Sequence, residues 1–153
     1  MRNSFIMRHG GSQNRPGTLL VGELKDSSKK AKLVPFIFNS SQAFILEFGD
    51  LYMRVISDGA YITETAKTIT AGTKANPCVI TSAAHGYSNG DEVYISGVSG
   101  MTELNGRNFK VANVATNTFE LKYMDGTSVN STSFGTYTSG GTCERIYTVT
   151  TTY

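Results

Sequence analysis

Two residues of one short segment, His85 and Asp91, have side chains of the kind that serve acid/base or metal sites. They are six residues apart in the stretch His85-Gly-Tyr-Ser-Asn-Gly-Asp91. Such a site needs several convergent groups, and the only other histidine of the chain is His9. We therefore favour a structural role, in which a turn leads into a strand at Glu92 and His85 caps or packs.

The sequence lacks the motifs of nucleotide binding and of nucleophilic catalysis. No lysine stands in the frame G-x-x-x-x-G-K-[ST], no G-x-G-x-x-G opens a helix, and Gly97-Val-Ser-Gly100 is one residue short of a nucleophile elbow. Cys78 and Cys143 have no metal-ligand spacing, so we expect buried thiols and leave a disulfide between them open. The sequence predicts no catalytic residue, no metal ligand and no cofactor, and hence a protein that is not an enzyme.

A cluster of positive charge is the remaining candidate for binding. Residues 1–32 contain seven Lys or Arg and two acidic residues, whereas the whole chain has a net charge of only +2. We define the basic patch as Arg15, Lys25, Lys29, Lys30 and Lys32. Such a patch suits either a protein interface or weak, sequence-independent contact with the phosphates of passing DNA. Asp26 lies inside the cluster and favours the interface.

Composition indicates short strands joined by tight turns. The chain has 153 residues, 39% of them hydrophobic, with 16 Gly and no Trp, and it is rich in Ser and Thr. This balance is typical of an all-β protein. No run approaches the roughly 20 apolar residues that span a bilayer, and polar residues interrupt the N-terminus early. We expect a soluble protein with no membrane insertion and no cleaved signal peptide.

The clearest strand pattern lies in the runs 44–48 and 51–55, where apolar residues alternate. Only Gly49 and Asp50 separate the runs, which predicts a β-hairpin with a two-residue turn and a positive φ at Gly49. Pro35, in the preceding apolar run, predicts an edge strand or a bulge. This part of the chain is therefore expected to form a sheet.

The Thr- and Ala-rich stretch 61–76 has weak periodicity and predicts a boundary between two small β units. The first unit covers residues 1–66 and is completed by a return strand at 142–153, because both flanks of the insert have strand chemistry. Residues 67–141 form the second unit, a compact β-barrel inserted into the first.

Within the second unit, the tract 128–141 is rich in Ser, Thr and Gly and predicts either a long loop or a mobile hairpin. Phe134 and Tyr137 are its aromatic residues. Aromatic rings in such a loop suit the binding of sugars or of other proteins, so these two residues are candidates for a binding loop.

An ordered series of motifs in residues 2–60 resembles the N-terminal region of tail proteins of short-tailed bacteriophages and prophages. The motifs are Arg15-Pro-Gly-Thr, Lys25-Asp-Ser-Ser-Lys-Lys, Leu33-Val-Pro-Phe, Gln42-Ala-Phe-Ile-Leu-Glu-Phe-Gly-Asp and Tyr52-Met-Arg-Val. The segment 144–153 looks like the place where that region resumes. In the family, this region opens a larger nozzle or tail-tube subunit.

The intervening residues are similar to a small β-barrel module, the first catalytic-cysteine half-domain of ubiquitin-activating enzymes, which is also found inserted in phage tail proteins. The matching residues are Ile80-Thr, His85-Gly-Tyr-Ser-Asn-Gly-Asp-Glu-Val, Ile95-Ser-Gly-Val-Ser-Gly-Met-Thr-Glu-Leu-Asn-Gly and Thr118-Phe-Glu-Leu. The module lacks the catalytic cysteine even in its enzyme setting. The resemblance therefore implies an architecture without catalysis.

These resemblances imply a structural component of a phage or prophage tail that is assembled in the cytoplasm of the bacterial host. Its expected partners are other tail subunits, in a homo-oligomeric ring of the virion, with weak contact to passing DNA. The alternative is a carbohydrate- or host-surface-binding module that acts through Phe134 and Tyr137.

Overall fold

The computed structural model of the protein describes residues 4–6, 12–14, 20–39 and 42–152. Within these ranges the regular structure is β, apart from one 3-10 turn at Thr102–Leu104. The predicted all-β class is confirmed. No helix in the described ranges is long and apolar enough to cross a membrane.

Strands β1 and β2 form a small antiparallel pair, and the others form a five-stranded sheet and a seven-stranded sheet. We call the five-stranded sheet the hairpin sheet; it contains β3, β4, β5, β6 and β14. The strands are β1 (Ser4–Ile6), β2 (Ser12–Asn14), β3 (Lys32–Asn39), β4 (Gln42–Gly49), β5 (Tyr52–Ser57), β6 (Ala60–Tyr61), β7 (Lys67–Thr68), β8 (Ala71–Gly72), β9 (Val79–Thr81), β10 (Glu92–Ser99), β11 (Arg107–Ala112), β12 (Thr118–Lys122), β13 (Ser139–Arg145) and β14 (Thr148–Thr150).

The hairpin sheet has the order β14-β5-β4-β3, and β6 also pairs with β5. The strand that contains Pro35 lies at its edge, as predicted. The predicted turn is displaced by one residue, because Gly49 pairs with Tyr52 and the positive φ, 62°, is at Leu51. Gly49 is needed for another reason: a Cβ there would overlap the Tyr52 ring.

The seven-stranded sheet closes into a barrel, in agreement with the predicted barrel. Its order is β7-β13-β10-β11-β12-β9-β8, and the adjacent segments β7 and β8 lie at opposite ends of this order. Between them, the N–H of Ile69 donates to Gly141 O and the N–H of Thr70 donates to Thr81 O, both at 2.9 Å. The segment 67–72 therefore joins the two edges, which removes the open edges of the sheet.

Alternate residues of the barrel strands point inward and form its core. Val93 and Ile95 on β10 are fully buried, as are Phe119 and Leu121 on β12. Each large apolar side chain that leaves water contributes about 1.5–3 kcal/mol. This period-two pattern holds the barrel together and fixes which residues reach its outside.

The pairings of the last strands refine where the chain returns to the hairpin sheet. Residues 139–145 form β13, which pairs with β10, and Cys143 lies beside Ile95 in the barrel core. The return is made by Thr148–Thr150, which pair with Arg54, Met53 and Tyr52. The predicted return strand at 142–153 thus begins later than expected, because inward-facing Cys143 continues the barrel pattern. The division into domains at 66 and 142 stays a prediction.

Candidate functional site

His85 and Asp91 are each occupied by structural partners. The ring of His85 is buried against Tyr87 and Phe119, with centroids 5.0 and 5.1 Å away. Its Nδ1 accepts the N–H of Tyr87 at 3.0 Å, and its Nε2 donates to Ala115 O at 2.9 Å. Asp91 accepts the N–H of Ser88 at 2.8 Å and a guanidinium N–H of Arg145 at 3.0 Å. These bonds fit the structural role favoured above.

Cys78 and Cys143 are buried free thiols, as expected, and they are not joined by a disulfide. Burial raises the pKa of both thiols, which lowers their thiolate fraction and their reactivity. In the part of the chain that the structure describes, no group of three His, Cys, Asp or Glu residues is placed to hold a metal ion.

The loop with Phe134 and Tyr137 is fastened to the barrel. Both rings are half-buried and pack against the barrel core. The single O–H of Tyr137 is shared between the carbonyls of Ile69 and Gly140, at 3.0 and 3.1 Å, and the N–H of Gly135 donates to a Glu103 carboxylate oxygen at 2.9 Å. The rings serve packing, so little of their faces is offered to a ligand.

Most of the basic patch surrounds the turn before β3. The ammonium of Lys25 lies 5.7 Å from the centre of the Tyr52 ring, and that of Lys29 is 3.8 Å from a carboxylate oxygen of Asp50. The remaining described members are the exposed Lys30 and Lys32. Arg15 lies outside the described residues.

Asp26 stabilises this turn. Its carboxylate accepts the N–H and the hydroxyl of Ser28, at 2.9 and 2.6 Å, and these hydrogen bonds lower the pKa of Asp26. The acidic residue inside the patch is therefore part of the turn.

A buried ion pair between Arg54 on β5 and Glu92 on β10 joins the hairpin sheet to the barrel. The exposed fractions of the two side chains are 0% and 2%. The guanidinium carbon of Arg54 lies 5.0 Å from the centre of the Tyr52 ring and 5.2 Å from that of Tyr61. Arg54 is thus enclosed by two aromatic faces and directed at one carboxylate.

A second buried carboxylate completes this network. Glu47 accepts hydrogen bonds from the hydroxyls of Tyr52 and Tyr61, at 2.8 and 2.6 Å. Burial, together with the Glu47 carboxylate, raises the pKa of Tyr52 to about 12 and also raises that of Tyr61. Both phenols therefore remain neutral donors at physiological pH.

The ion pair is incompletely hydrogen-bonded. Arg54 Nε, Arg54 Nη1 and Glu92 Oε2 are buried without a partner among the described residues. Burial raises the pKa of Glu92, and this outweighs the opposing effect of Arg54. Such a pair fixes a geometry more than it stabilises the fold, and removing only one partner is costly.

The opposite surface of the hairpin sheet is apolar. Directly paired residues of adjacent strands share a face, and the pairings place one set of side chains away from Arg54. We call this set the outer face: Val34, Phe36, Phe44, Leu46, Phe48, Met53, Val55 and Val149. None of them is buried, and Phe36 is 49% exposed. An apolar patch of this kind marks an interaction surface.

Sequence reasoning missed both features of the hairpin sheet. Arg54 lies between Tyr52 and Ile56 on one side of β5, and all three are buried. The available signal was the position of Arg54, a charged residue that alternates with apolar residues on the buried side of a strand. The partner Glu92 is 38 positions away in the sequence, so no local pattern could identify it.

Comparison with known families gives a match for the barrel. Residues 76–146 match the family described as the ubiquitin-activating enzyme E1 FCCH domain. The match covers less than half of the chain, includes β9 to β13, and confirms the resemblance predicted for the inserted module. No curated protein matches the chain. The resemblance of residues 2–60 to phage tail proteins stays a prediction.

We predict that Arg54→Ala lowers the free energy of unfolding by about 3–5 kcal/mol, because it leaves Glu92 buried without its counter-charge. The double variant Arg54→Met with Glu92→Leu should recover most of this loss, as measured by urea unfolding. Lys29→Ala is the matched control, since its pair with Asp50 is 56% exposed on both sides and its loss should cost less than about 1 kcal/mol. Equal losses for Arg54 and Lys29 would contradict the assigned role of the buried pair.

The raised pKa of Glu92 predicts a pH dependence of stability. The folded state binds the Glu92 proton more tightly than the unfolded state, so the contribution of this group is complete below its ordinary pKa of 4.5 and falls as pH rises through the folded pKa. The unfolding free energy of the wild type minus that of Glu92→Gln should therefore decrease as pH rises from 4.5. A difference that increases with pH would mean that Arg54 outweighs burial.

Proposed function

We propose that the chain is a structural subunit of a bacteriophage or prophage tail and that it assembles with neighbouring tail subunits through the outer face. The observation that carries this proposal is the apolar character of the outer face, in which no residue is buried.

A sheet with one apolar face needs a second layer to cover that face. The barrel meets the other side of the hairpin sheet, at Arg54 and Glu92. On the outer side, the rings of Phe36 and Phe44 lie 6.5 Å apart, and Phe48 is 39% exposed. Subunit interfaces are commonly built from such aromatic surfaces with few charges at their centre.

The β3 edge of the sheet is less suited to assembly than the outer face. β3 is an edge strand among the described residues, and Pro35 within it has no N–H to donate to a further strand. Extension of the sheet by another chain would lose a hydrogen bond there. The proposed partner therefore packs across the outer face and does not add a strand at β3.

The motifs that resemble phage tail proteins coincide with the strands of the outer face. Leu33-Val-Pro-Phe lies in β3, the motif that begins at Gln42 forms β4, and Tyr52-Met-Arg-Val begins β5. The location in a virion tail, with assembly in the bacterial cytoplasm, rests on this resemblance. The part played by the barrel in that setting is to decorate the assembled tail.

The surroundings of the chemistry-bearing residues favour a structural protein over an enzyme. His85 and Asp91 are engaged in hydrogen bonds that hold loops. The alternative of carbohydrate binding is less favoured, because Phe134 and Tyr137 pack against the barrel core. Lys25 and Lys29 already lie against Tyr52 and Asp50, which suits a protein interface better than a track for DNA phosphates.

We expect Phe36→Lys to abolish assembly, because it places a charge within the apolar contact surface, beside Phe44. The control is Ile37→Lys, which changes the next residue of β3, 73% exposed and directed to the opposite side of the sheet. Sedimentation velocity over a concentration series measures self-association, and immunogold labelling of particles released from the source bacterium measures incorporation into tails. Label found only in the soluble host fraction, or identical behaviour of the two variants, would contradict the proposal.

A further inference from the structure

We infer that copies of this chain also join by strand addition, in which the β1–β2 pair of one copy continues the hairpin sheet of the next copy at the open edge of β14. This inference rests on the proposed function, in which the chain assembles with neighbouring subunits. It adds the segment that one copy donates and the edge that receives it.

β14 is the edge strand opposite β3, and it pairs with β5 on one side only among the described residues. The N–H of Thr151 donates to Leu51 O at 2.9 Å, toward β5. In an antiparallel strand, the backbone N–H and C=O groups of alternate residues point to the same side. Those of Val149 therefore also face β5, whereas those of Thr148 and Thr150 face outward. An edge of this kind is a template for a further strand.

The opposite edge is less able to receive a strand. Pro35 lies within β3 and has no N–H to offer there. Among the described residues, the hairpin sheet thus has one edge suited to strand addition. A sheet with one acceptor edge joins copies head to tail, and contacts of this type close into rings. Strand addition at β14 is therefore compatible with a ring of tail subunits.

The β1–β2 pair is a strand pair without a sheet. β1 and β2 pair with each other, and neither pairs with another strand in the described part of the chain. A pair of strands is marginally stable by itself in water and needs at least a third strand. β1, β2 and β14 are each three residues long. The pair therefore needs an edge to join, and β14 offers one of matching length.

β1 is the strand that lies against β14 in this arrangement. It contains the apolar residues Phe5 and Ile6, whereas β2 has the polar sequence Ser12-Gln13-Asn14. Polar residues suit the new edge of the sheet, which remains in water. Main-chain hydrogen bonds provide the affinity in strand addition of this type. Because the chain's own β1–β2 pair is separate from β14, the added strand comes from another copy.

A proline at each edge of the sheet tests the contact. Thr150→Pro removes an outward N–H and keeps the bonds to β5, so the fold should be retained. Self-association should weaken about tenfold, because a carbonyl of the added strand loses its donor. Leu33→Pro is the matched control: two residues from Pro35, it removes an outward N–H of β3 and should leave association unchanged. Analytical ultracentrifugation measures association, and circular dichroism checks the fold.

Crosslinking identifies the donated strand. Copies with Phe5→Cys, mixed with copies that have Thr150→Cys, should be joined by a short bismaleimide into a covalent heterodimer. A mixture of Phe5→Cys with Leu33→Cys should give none, because β3 and β14 lie at opposite edges of the sheet. The unmodified chain, with buried Cys78 and Cys143, gives the background. If a chain with both Phe5→Cys and Thr150→Cys crosslinks only within itself, the inference is overturned.

The outcomes separate this inference from the proposed function. If Phe36→Lys prevents association while Thr150→Pro has no effect and no heterodimer forms, the outer face is an assembly surface and strand addition is wrong. If the heterodimer forms and Thr150→Pro weakens association while Phe36→Lys changes nothing, strand addition holds and assembly through the outer face is wrong. Equal weakening by Thr150→Pro and Leu33→Pro would also overturn the inference.

Discussion

The buried pair of Arg54 and Glu92 is the interaction on which the arrangement of the molecule depends. It is the buried ionic contact between the hairpin sheet and the barrel, and both ions have left water to make it. The loss of solvation is large, so the pair favours one alignment of the two sheets and penalises others. Tyr52 and Tyr61 enclose the guanidinium, and Glu47 holds their hydroxyls, so that each polar group of the network orients the next.

This pair also determines the character of the opposite surface. Successive residues of a strand point to opposite sides. In β5, Tyr52, Arg54 and Ile56 point to the barrel side. Met53 and Val55 must then face outward. The same alternation in β3 and β4 extends the apolar surface across the sheet. The buried polar network on β5 and the outward apolar row of Met53 and Val55 are therefore two consequences of one register.

Much of the fold was predictable because it is local. Alternation in the runs 44–48 and 51–55 identified a hairpin, and Pro35 identified an edge strand. The turn lies one residue later than predicted. Gly49 has the backbone freedom that a turn needs, but a glycine is required at this position because a Cβ would overlap the Tyr52 ring. Backbone preference alone could not distinguish these two uses of a glycine.

The features that sequence reasoning missed depend on contacts between distant residues. The end of the barrel could not be placed at Arg145 because strand chemistry continues without interruption from β13 to β14. The sequence also could not show which face of each alternating strand is covered. An alternating strand has two faces, and the position of the barrel decides which of them is buried. The identity of the covered face required the pairing of Arg54 with Glu92.

The most direct measurement of the central claim is hydroxyl-radical footprinting of the whole chain above and below the concentration at which it associates. Phe36, Phe48 and Met53 on the outer face should lose reactivity on association, whereas Leu33, which lies on the other side of β3 and is 58% exposed, should keep its reactivity. Unchanged reactivity of the outer face in the associated protein, with protection elsewhere, would contradict the claim that this face is the assembly surface.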